Sequence, residues 1–181
     1  MKKLLFCNQI IDQMIYLIGF MGVGKTTIGK QLAAKHNVNF IDTDKEIEKI
    51  TNHNISDIFQ KDGENHFRKL ETVTLKTIAE NNIVACGGGL PVYNNNINFI
   101  KKSGVSIYLK ASPDEIFIRV TNNSKNRPLI QNKSDEDLRT FIKVTLEKRE
   151  TFYAMADYTI DTSNLSEEDV LRKINSLSLS I

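Results

Sequence analysis

Residues 19–26 read Gly-Phe-Met-Gly-Val-Gly-Lys-Thr and fit the pattern G-x-x-x-x-G-K-S/T at every fixed position. Glycines at these positions let the backbone turn tightly, so that successive N–H groups can point at a bound phosphate. The ammonium of Lys25 can reach the terminal phosphates of a nucleotide, and the Thr26 hydroxyl can coordinate Mg²⁺. An apolar strand is predicted before the segment and a helix after it, as this chemistry requires. The segment therefore predicts a phosphate-binding loop, or P-loop.

Two carboxylates one residue apart, Asp42 and Asp44, follow the second predicted strand. Ligands of open α/β sheets bind at the carboxyl ends of strands, so both carboxylates can face one cleft. One can hold Mg²⁺ through water, while the other accepts a hydrogen bond from a substrate hydroxyl and takes its proton. The alternative is structural: Asp44 caps a helix that begins at Lys45. Taken alone, the pair favours this structural role.

Two further segments could hold an acceptor substrate. Glu64, Arg68 and Glu71 have the spacing i, i+4 and i+7, which places them on one helical face. A carboxylate there can orient the guanidinium, whose fork then grips an anionic group; a solvated surface ion pair is the alternative. Three glycines at 87–89 follow an apolar strand and indicate a close approach to the backbone. A substrate is the natural candidate, and a plain turn is the alternative.

Two other arginines are candidates for binding anions. Arg127 lies in a polar stretch, about 121–134, that has little periodicity and is predicted to be a mobile lid. From such a lid an arginine can reach phosphates during transfer, although a solvated loop arginine is equally plausible in isolation. Arg149 continues an apolar helical stripe formed by Leu138, Ile142 and Leu146. A charge on that stripe needs a partner or a ligand, unless it reaches water at the edge of the core.

The elements that must position these residues alternate along the chain. Short apolar segments are separated by helix-patterned ones, which predicts a parallel sheet covered on both faces. Helix starts are indicated by Ser112 before Pro113, and by Ser134 and Ser166 before acidic residues. The predicted strands are centred on Leu17, Phe40, Val84, Ile107 and Thr159.

Together these motifs resemble those of the shikimate kinase family, in the same order and from about residue 14 to residue 174. Each motif is weak alone, but six in the right order make a chance resemblance very unlikely. The motifs are residues 19–26, Asp42-Thr43-Asp44, Gly63-Glu64 with Phe67-Arg68 and Glu71, residues 87–89, Arg127-Pro128-Leu129, and Arg149 ahead of Tyr153 and Ala156-Asp157.

The resemblance implies ATP-dependent transfer to the 3-hydroxyl of shikimate, giving shikimate 3-phosphate and ADP on the way to aromatic amino acids. It also implies a three-layer αβα P-loop kinase fold with a five-stranded parallel sheet, a mobile lid and a substrate-binding helical region. The implied roles divide among four groups of residues. Lys25, Asp44 and Arg127 would be catalytic; Asp44, Arg68, Gly88, Gly89 and Arg149 would bind shikimate; Gly22, Val23, Gly24, Lys25, Thr26, Thr27, Arg119 and Arg127 would bind ATP; Thr26 and Asp42 would hold Mg²⁺.

Two rival functions remain. Another small-metabolite kinase such as gluconate kinase would share the P-loop and lid, but it gives no reason for the other motifs together. A non-catalytic relative that binds nucleotide or shikimate would typically have lost the P-loop lysine, the base or the lid arginine. Lys25, Asp44 and Arg127 are all present.

The bulk properties fit one compact cytoplasmic domain. The chain has 181 residues, of which 40% are apolar and 25% charged, and its net charge of +2 gives no strong attraction to nucleic acid or anionic membranes. Two cysteines give neither a disulfide framework nor metal-ligand spacing, which suits a reducing compartment. The apolar start of the chain breaks too soon for an export signal. We therefore expect an N-terminal extension at 1–13, a single domain at 14–181, and a monomer, since no exposed apolar helix face stands out.

Overall fold

The computed structural model describes residues 13–79, 82–122 and 133–177. Its strands are β1 (Met14–Ile18), β2 (Asn39–Asp42), β3 (Asn82–Ala85), β4 (Gly104–Lys110) and β5 (Tyr158–Asp161). Its helices are α1 (Lys25–His36), α2 (Thr43–Thr51), α3 (Ile55–Thr77), α4 (Asn96–Ser103), α5 (Pro113–Asn122), α6 (Asp135–Tyr153) and α7 (Glu167–Ser176). Each helix in these ranges is too short or too polar to cross a lipid bilayer.

All five strands form one parallel sheet in the order β2-β3-β1-β4-β5. Every residue of β1 and of β3 is buried, as expected for continuous apolar strands covered on both faces. The edge strands β2 and β5 are more exposed. The structure therefore confirms the predicted five-stranded parallel sheet and places the P-loop after its central strand.

Helices cover both faces of the sheet. Neighbouring residues of a strand point to opposite faces of the sheet, so the side chains of Tyr16 and Leu17 lie on different faces. The Tyr16 hydroxyl shares a 2.9 Å hydrogen bond with Ser103 Oγ at the end of α4. On the other face, a Cβ added to Gly29 of α1 would lie 3.3 Å from Leu17 Cδ1. The three-layer αβα arrangement is thereby confirmed.

Serine caps begin three of the helices as predicted. The hydroxyls of Ser112, Ser134 and Ser166 each accept a hydrogen bond from the backbone N–H three residues later, at 3.1 to 3.2 Å. At Ser166 the capping box is complete, because the Asp169 carboxylate also accepts from the Ser166 N–H. These caps satisfy backbone donors that have no partner within their own helix.

The cap of α2 differs from the structural alternative considered for Asp44. The helix begins at Thr43, and Asp42 is its N-cap. Asp42 Oδ1 accepts from the N–H groups of Asp44 at 3.2 Å and of Lys45 at 3.4 Å. The proposed cap by Asp44 is therefore wrong, because Asp42 takes the extended backbone conformation of a cap and leaves Asp44 in the first helical turn.

The predicted lid overlaps a helix at its start. Helix α5 continues to Asn122, two residues into the stretch expected to be a loop, and Thr121 Oγ1 donates to the carbonyl of Phe117 at 2.9 Å. Residues 114–127, between Pro113 and Pro128, contain no glycine or proline, so nothing in the sequence ends the helix at residue 121. Arg127 lies outside the described residues, as do residues 1–12 of the predicted extension.

Candidate active site

The P-loop follows β1 directly and is shaped by glycines. Gly19 has φ +135°, and a Cβ on it would lie 2.5 Å from the carbonyl oxygen of Leu109 on β4. Gly24, with φ +96°, leads into α1. Lys25 Nζ donates to the carbonyls of Gly19 and Phe20, both at 2.8 Å, so the ammonium lies within the loop. The positive end of α1 and this ammonium make the loop a site for phosphate.

The remaining loop residues have two kinds of environment. Gly22 has φ +84°, a conformation that favours glycine, and the Val23 side chain is buried in the core. Thr26 and Thr27 are exposed in the first turn of α1. The loop is therefore anchored in the core through Val23, and the Thr26 hydroxyl faces Asp42.

Thr26 and Asp42 form the candidate metal site. Thr26 Oγ1 donates to Asp42 Oδ2 at 2.8 Å, which brings together a hydroxyl and a carboxylate. In the described ranges, no group of three or more histidine, cysteine, aspartate or glutamate side chains could hold a metal ion. Mg²⁺ is usually held by one or two carboxylates together with substrate phosphates rather than by an all-protein cage. This oxygen pair beside the P-loop fits Mg²⁺.

Asp44 lies at the centre of the cleft. Its Oδ1 is buried and has no hydrogen-bond partner among the described residues, although the residue as a whole is only partly buried. Burial, reinforced by the Asp42 carboxylate, raises the pKa of Asp44 to about 6, while Lys25 and Arg68 act in the opposite direction. An unpartnered carboxylate with a pKa near neutral can accept a proton from a bound hydroxyl.

Arg68 is the most tightly held cation of the cleft. It is 7% exposed, and its Nη1 donates to Glu71 Oε2 at 2.7 Å. Its Nη2 and Nε donate to Glu64 Oε1 at 2.8 and 3.2 Å. The predicted shared face is confirmed, and it begins after a kink in α3 at Gly63, where φ is 79°. A solvated surface pair is excluded, because Arg68 and Glu71 are buried.

Residues 87–89 allow these side chains to approach the backbone. A Cβ on Gly87 would lie 2.4 Å from Asp44 Oδ1, and one on Gly89 would lie 2.3 Å from Arg68 Nη1. Both distances are shorter than real Cβ contacts, so a larger residue at either position would have to displace the facing side chain. The three glycines predicted that some group approaches the backbone closely, with a substrate as the natural candidate. The structure shows that the side chains of Asp44 and Arg68 approach this backbone closely.

Arg149 occupies the predicted place on α6. Leu138 and Ile142 are buried, Leu146 is partly buried, and Arg149 is also partly buried at the next step of the stripe. Its guanidinium forms no ion pair within 4.0 Å with a carboxylate of the described residues. A partly buried guanidinium without such a partner is suited to an anionic ligand.

Arg149 lies close to the same glycine segment, at Gly88. A Cβ on Gly88 would lie 3.3 Å from Arg149 Nη1 and 3.6 Å from the backbone nitrogen of Met21 in the P-loop. Tyr153, one turn after Arg149, donates from its hydroxyl to the Gly88 carbonyl at 2.5 Å. Gly88 therefore lies where α6 meets the P-loop.

Arg119 lies on α5, and its guanidinium contacts the segment that follows β5. Its Nε donates to Glu115 Oε1 at 2.7 Å, and its Nη2 donates to the carbonyl of Thr162, just after β5, at 2.7 Å. A second contact joins Nη1 to Thr162 Oγ1 at 3.0 Å. These bonds hold the flat guanidinium against the residue that follows β5.

The sequence motifs include Thr43 and Tyr153 but assign no role to them, and they do not include Tyr93. Thr43 Oγ1 accepts from the Gly87 N–H at 2.8 Å, Tyr153 binds the Gly88 carbonyl, and Tyr93 contacts Arg68. A role for Tyr153 could have been predicted, since it lies four residues after Arg149 on one helical face. The contacts of Thr43 and Tyr93 join segments far apart in sequence and leave no local signal.

Comparisons with known proteins give a consistent result. The family model described as shikimate kinase matches residues 21–178. A shikimate kinase from Caldanaerobacter subterraneus subsp. tengcongensis is 44% identical over 162 residues, which cover 88% of this chain and 92% of that enzyme. The crystal structure of shikimate kinase from Bacteroides thetaiotaomicron superposes with a TM-score of 0.86 at 36% identity, covering 91% of this chain and 97% of that one.

A second solved structure, of Acinetobacter baumannii shikimate kinase in complex with shikimate, is also 36% identical and has a TM-score of 0.85. It covers 96% of this chain and 95% of that one. Nothing in these comparisons supports gluconate kinase or a non-catalytic relative. With its P-loop, its cleft and these relatives, the chain belongs to the shikimate kinase family.

Proposed function

We propose how the residues of this cleft divide the work in ATP-dependent phosphorylation of the 3-hydroxyl of shikimate, the reaction of the family to which the chain belongs. The observation that carries the proposal is the convergence of Asp44, Arg68 and Arg149 on residues 87–89 beside the P-loop. Two cations and one carboxylate around a glycine-lined cleft match an acceptor that carries a carboxylate and several hydroxyls.

Arg68 and Arg149 would hold the acceptor carboxylate. Arg68 is oriented by Glu64 and Glu71, whereas Arg149 has no ion pair among the described residues. A fixed fork and a second cation can grip a carboxylate from two directions. Gly88 and Gly89 would add backbone contacts from between the two arginines.

Asp44 would be the general base. Its buried Oδ1 accepts the proton of the 3-hydroxyl as that oxygen bonds to the γ-phosphorus of ATP. The bond from the γ-phosphorus to the β–γ bridging oxygen breaks, and its electrons leave with ADP. The pKa of about 6 keeps Asp44 mostly ionised at neutral pH and still close enough to share the proton.

The donor side would bind ATP through the P-loop. Lys25 and the backbone N–H groups of residues 22–27 would neutralise the β- and γ-phosphates. Thr26 and Asp42 would hold Mg²⁺, which when bound supplies charge neutralisation on the phosphate oxygens. Arg119 would stack on the adenine, and Arg127 would reach the transferred group from the lid.

We also propose a cytoplasmic monomer with an N-terminal extension at 1–13. The free, buried thiol of Cys86 suits a reducing compartment. Four of the exposed large apolar side chains, Ile50, Val73, Ile118 and Val144, lie on four different helices. They give no single helix face on which a second subunit would dock.

The deciding experiment is ADP release from Mg²⁺-ATP by the purified protein with shikimate, with gluconate and with no acceptor. We expect strong stimulation by shikimate alone. An Asp44→Asn variant should still bind ATP but lose roughly 10²- to 10⁴-fold in turnover, the usual contribution of a general base. Asp62→Asn, an exposed position, is the matched control. Turnover near the wild-type value in Asp44→Asn would remove Asp44 from the chemistry, and no stimulation by shikimate would refute the proposed reaction.

A further inference from the structure

Tyr93 contacts both members of the Arg68–Glu64 ion pair. The centroid of its ring lies 4.3 Å from Cζ of Arg68, closer than the rings of Phe67 at 5.4 Å and Phe59 at 5.9 Å. Its hydroxyl donates to Glu64 Oε1 at 3.2 Å, the same oxygen that accepts from Arg68. The ring of Tyr93 therefore packs against the guanidinium of Arg68, and its hydroxyl binds the Glu64 carboxylate that orients this guanidinium.

The loop that carries Tyr93 is fastened to α3 beside Arg68. Asn94 Nδ2 donates to the Arg68 carbonyl at 3.2 Å and to Thr72 Oγ1 at 2.9 Å. Asn96 Nδ2 donates to the same Thr72 oxygen at 3.1 Å, and the Asn96 N–H donates to the Tyr93 carbonyl at 3.0 Å. Asn94 has φ 51°, a left-handed conformation that asparagine tolerates. The position of Tyr93 is thus set by the contacts of Asn94 and Asn96, which follow it.

The hydrogen bonds of Arg68 leave a defined part of its guanidinium for a ligand. A guanidinium has five N–H donors. Bonds to Glu64 engage Nε and one N–H of Nη2, and the bond to Glu71 engages one N–H of Nη1. One N–H on each terminal nitrogen then remains, as far as the described residues show. A planar acceptor such as a carboxylate can take both only if the guanidinium plane is held still.

We propose that Tyr93 is a positioning residue for acceptor binding, which fixes the plane of Arg68 by its ring and the place of Glu64 by its hydroxyl. The inference rests on the proposed role of Arg68 as a carboxylate clamp. Tyr93 does not touch the acceptor itself in this scheme. Its contribution passes through Arg68, so it depends on the negative charge of the acceptor.

The test measures the dissociation constant for shikimate by titration calorimetry, together with steady-state kinetics. Tyr93→Leu removes ring and hydroxyl, Tyr93→Phe removes the hydroxyl alone, and Val144→Ala is a control at a comparably exposed apolar position on α6. Tyr93→Leu should weaken shikimate binding roughly three- to tenfold, the range of a partly exposed cation–π contact, with kcat and the KM for ATP within about twofold. Tyr93→Phe should recover most of this loss, and Val144→Ala should show none.

The methyl ester of shikimate, assayed as a competing ligand, separates positioning from general packing. Wild type and Tyr93→Leu should bind the uncharged ester equally well. Tyr93→Leu should also add nothing to the effect of Arg68→Ala in the double variant. Unchanged shikimate binding in Tyr93→Leu, or an equal loss for the ester, would overturn the proposal. Wild-type protein that binds shikimate but releases no ADP would instead refute the proposed reaction and leave the binding test intact.

Discussion

Arg68 donates through Nη1 to Glu71 Oε2 at 2.7 Å, and the Glu71 side chain is 1% exposed. Burial raises the pKa of Glu71 to about 7, although Arg68 acts in the opposite direction. The pair therefore lies where the cost of burying charge is high, and this favours a role in function over a role in stability. The geometry of the guanidinium fork, and not its charge alone, is what Glu64, Glu71 and Tyr93 hold in place.

Replacing Arg68 by lysine tests the importance of this fork. Lysine keeps the positive charge but cannot satisfy Glu64 and Glu71 while presenting two parallel donors to a carboxylate. We expect Arg68→Lys to raise the KM for shikimate roughly 10- to 100-fold, in line with the loss of one or two charge-assisted hydrogen bonds, with a smaller effect on the KM for ATP. Steady-state kinetics with each substrate varied will measure this.

Arg139→Lys is the matched control, because Arg139 also forms a 2.8 Å ion pair, with Asp114, but both side chains are largely exposed. It should leave both KM values unchanged. Equal KM values for shikimate in Arg68→Lys and wild type would argue against a bidentate clamp.

The raised pKa of Asp44 predicts how activity depends on pH. In the proposed mechanism the carboxylate form of Asp44 accepts the proton, and burial raises the pKa of this group to about 6. We expect kcat/KM for shikimate to fall as pH decreases through about 6, approaching a tenfold loss per pH unit below it. The residual activity of Asp44→Asn should not show this fall at low pH. A wild-type profile that stays level down to pH 5 would contradict the assignment of Asp44 as the base.

The same shift predicts a stability difference with a definite sign. The folded-state pKa of Asp44 lies above its ordinary value of 3.8, so the folded protein binds the proton more tightly than the unfolded chain does. Its stabilising effect is complete below pH 4 and is lost as pH rises through about 6. Relative to wild type, Asp44→Asn should therefore gain about 1–3 kcal/mol in the free energy of unfolding between pH 4 and pH 8.

Urea unfolding at several pH values will measure this gain. Asp62→Asn, at an exposed site, should follow the wild-type pH dependence. A gain of the opposite sign for Asp44→Asn would show that Asp44 is stabilised in its ionised form.

Much of this arrangement could be predicted because its signals are local. The apolar runs of β1 and β3, the glycines of the P-loop and the helical spacing of Glu64, Arg68 and Glu71 each act within a few residues of the chain. The structure confirms each of them. The N-cap of α2 was placed two residues too late, because Asp42 and Asp44 are equally good capping residues and the sequence does not show where the strand ends.

The contacts that could not be predicted join distant parts of the chain. Gly87 faces Asp44 and Glu71, and Tyr93 lies over Arg68, across sequence gaps that no periodicity spans. A run of glycines shows only that something must come close. Which group does so depends on how α2 and α3 pack against the end of β3, and this is a property of tertiary packing.

The glycine segment gives a graded series of variants. An added Cβ would lie 2.4 Å from Asp44 Oδ1 at position 87, 2.3 Å from Arg68 Nη1 at position 89, and 3.3 Å from Arg149 Nη1 at position 88. We expect Gly87→Ala to lower kcat most, because it displaces Asp44, the proposed base, and Gly89→Ala mainly to raise the KM for shikimate. Gly88→Ala should have the smallest effect, since Arg149 needs to move only a few tenths of an ångström.

Kinetics and thermal unfolding of the three variants will establish this order. Each should lose no more than about 1–3 kcal/mol of stability, the usual cost of overpacking. Equal losses of activity at the three positions would show that the effect comes from the backbone rather than from the displaced side chains.

Asp42 combines two roles that one substitution can separate. Its Oδ2 accepts from Thr26 Oγ1 at 2.8 Å, and its Oδ1 caps α2. Asparagine is about as good a helix cap as aspartate, so Asp42→Asn should leave the thermal midpoint nearly unchanged while removing the carboxylate charge. We expect the Mg²⁺ concentration for half-maximal activity to rise by about tenfold or more, because Mg²⁺ favours charged oxygen ligands.

Asp42→Ala should show the same metal defect and also lose about 1 kcal/mol of stability with the cap. Titrating activity against Mg²⁺ at fixed ATP, alongside thermal unfolding, distinguishes the two roles. An unchanged Mg²⁺ requirement in both variants would leave Asp42 with capping alone.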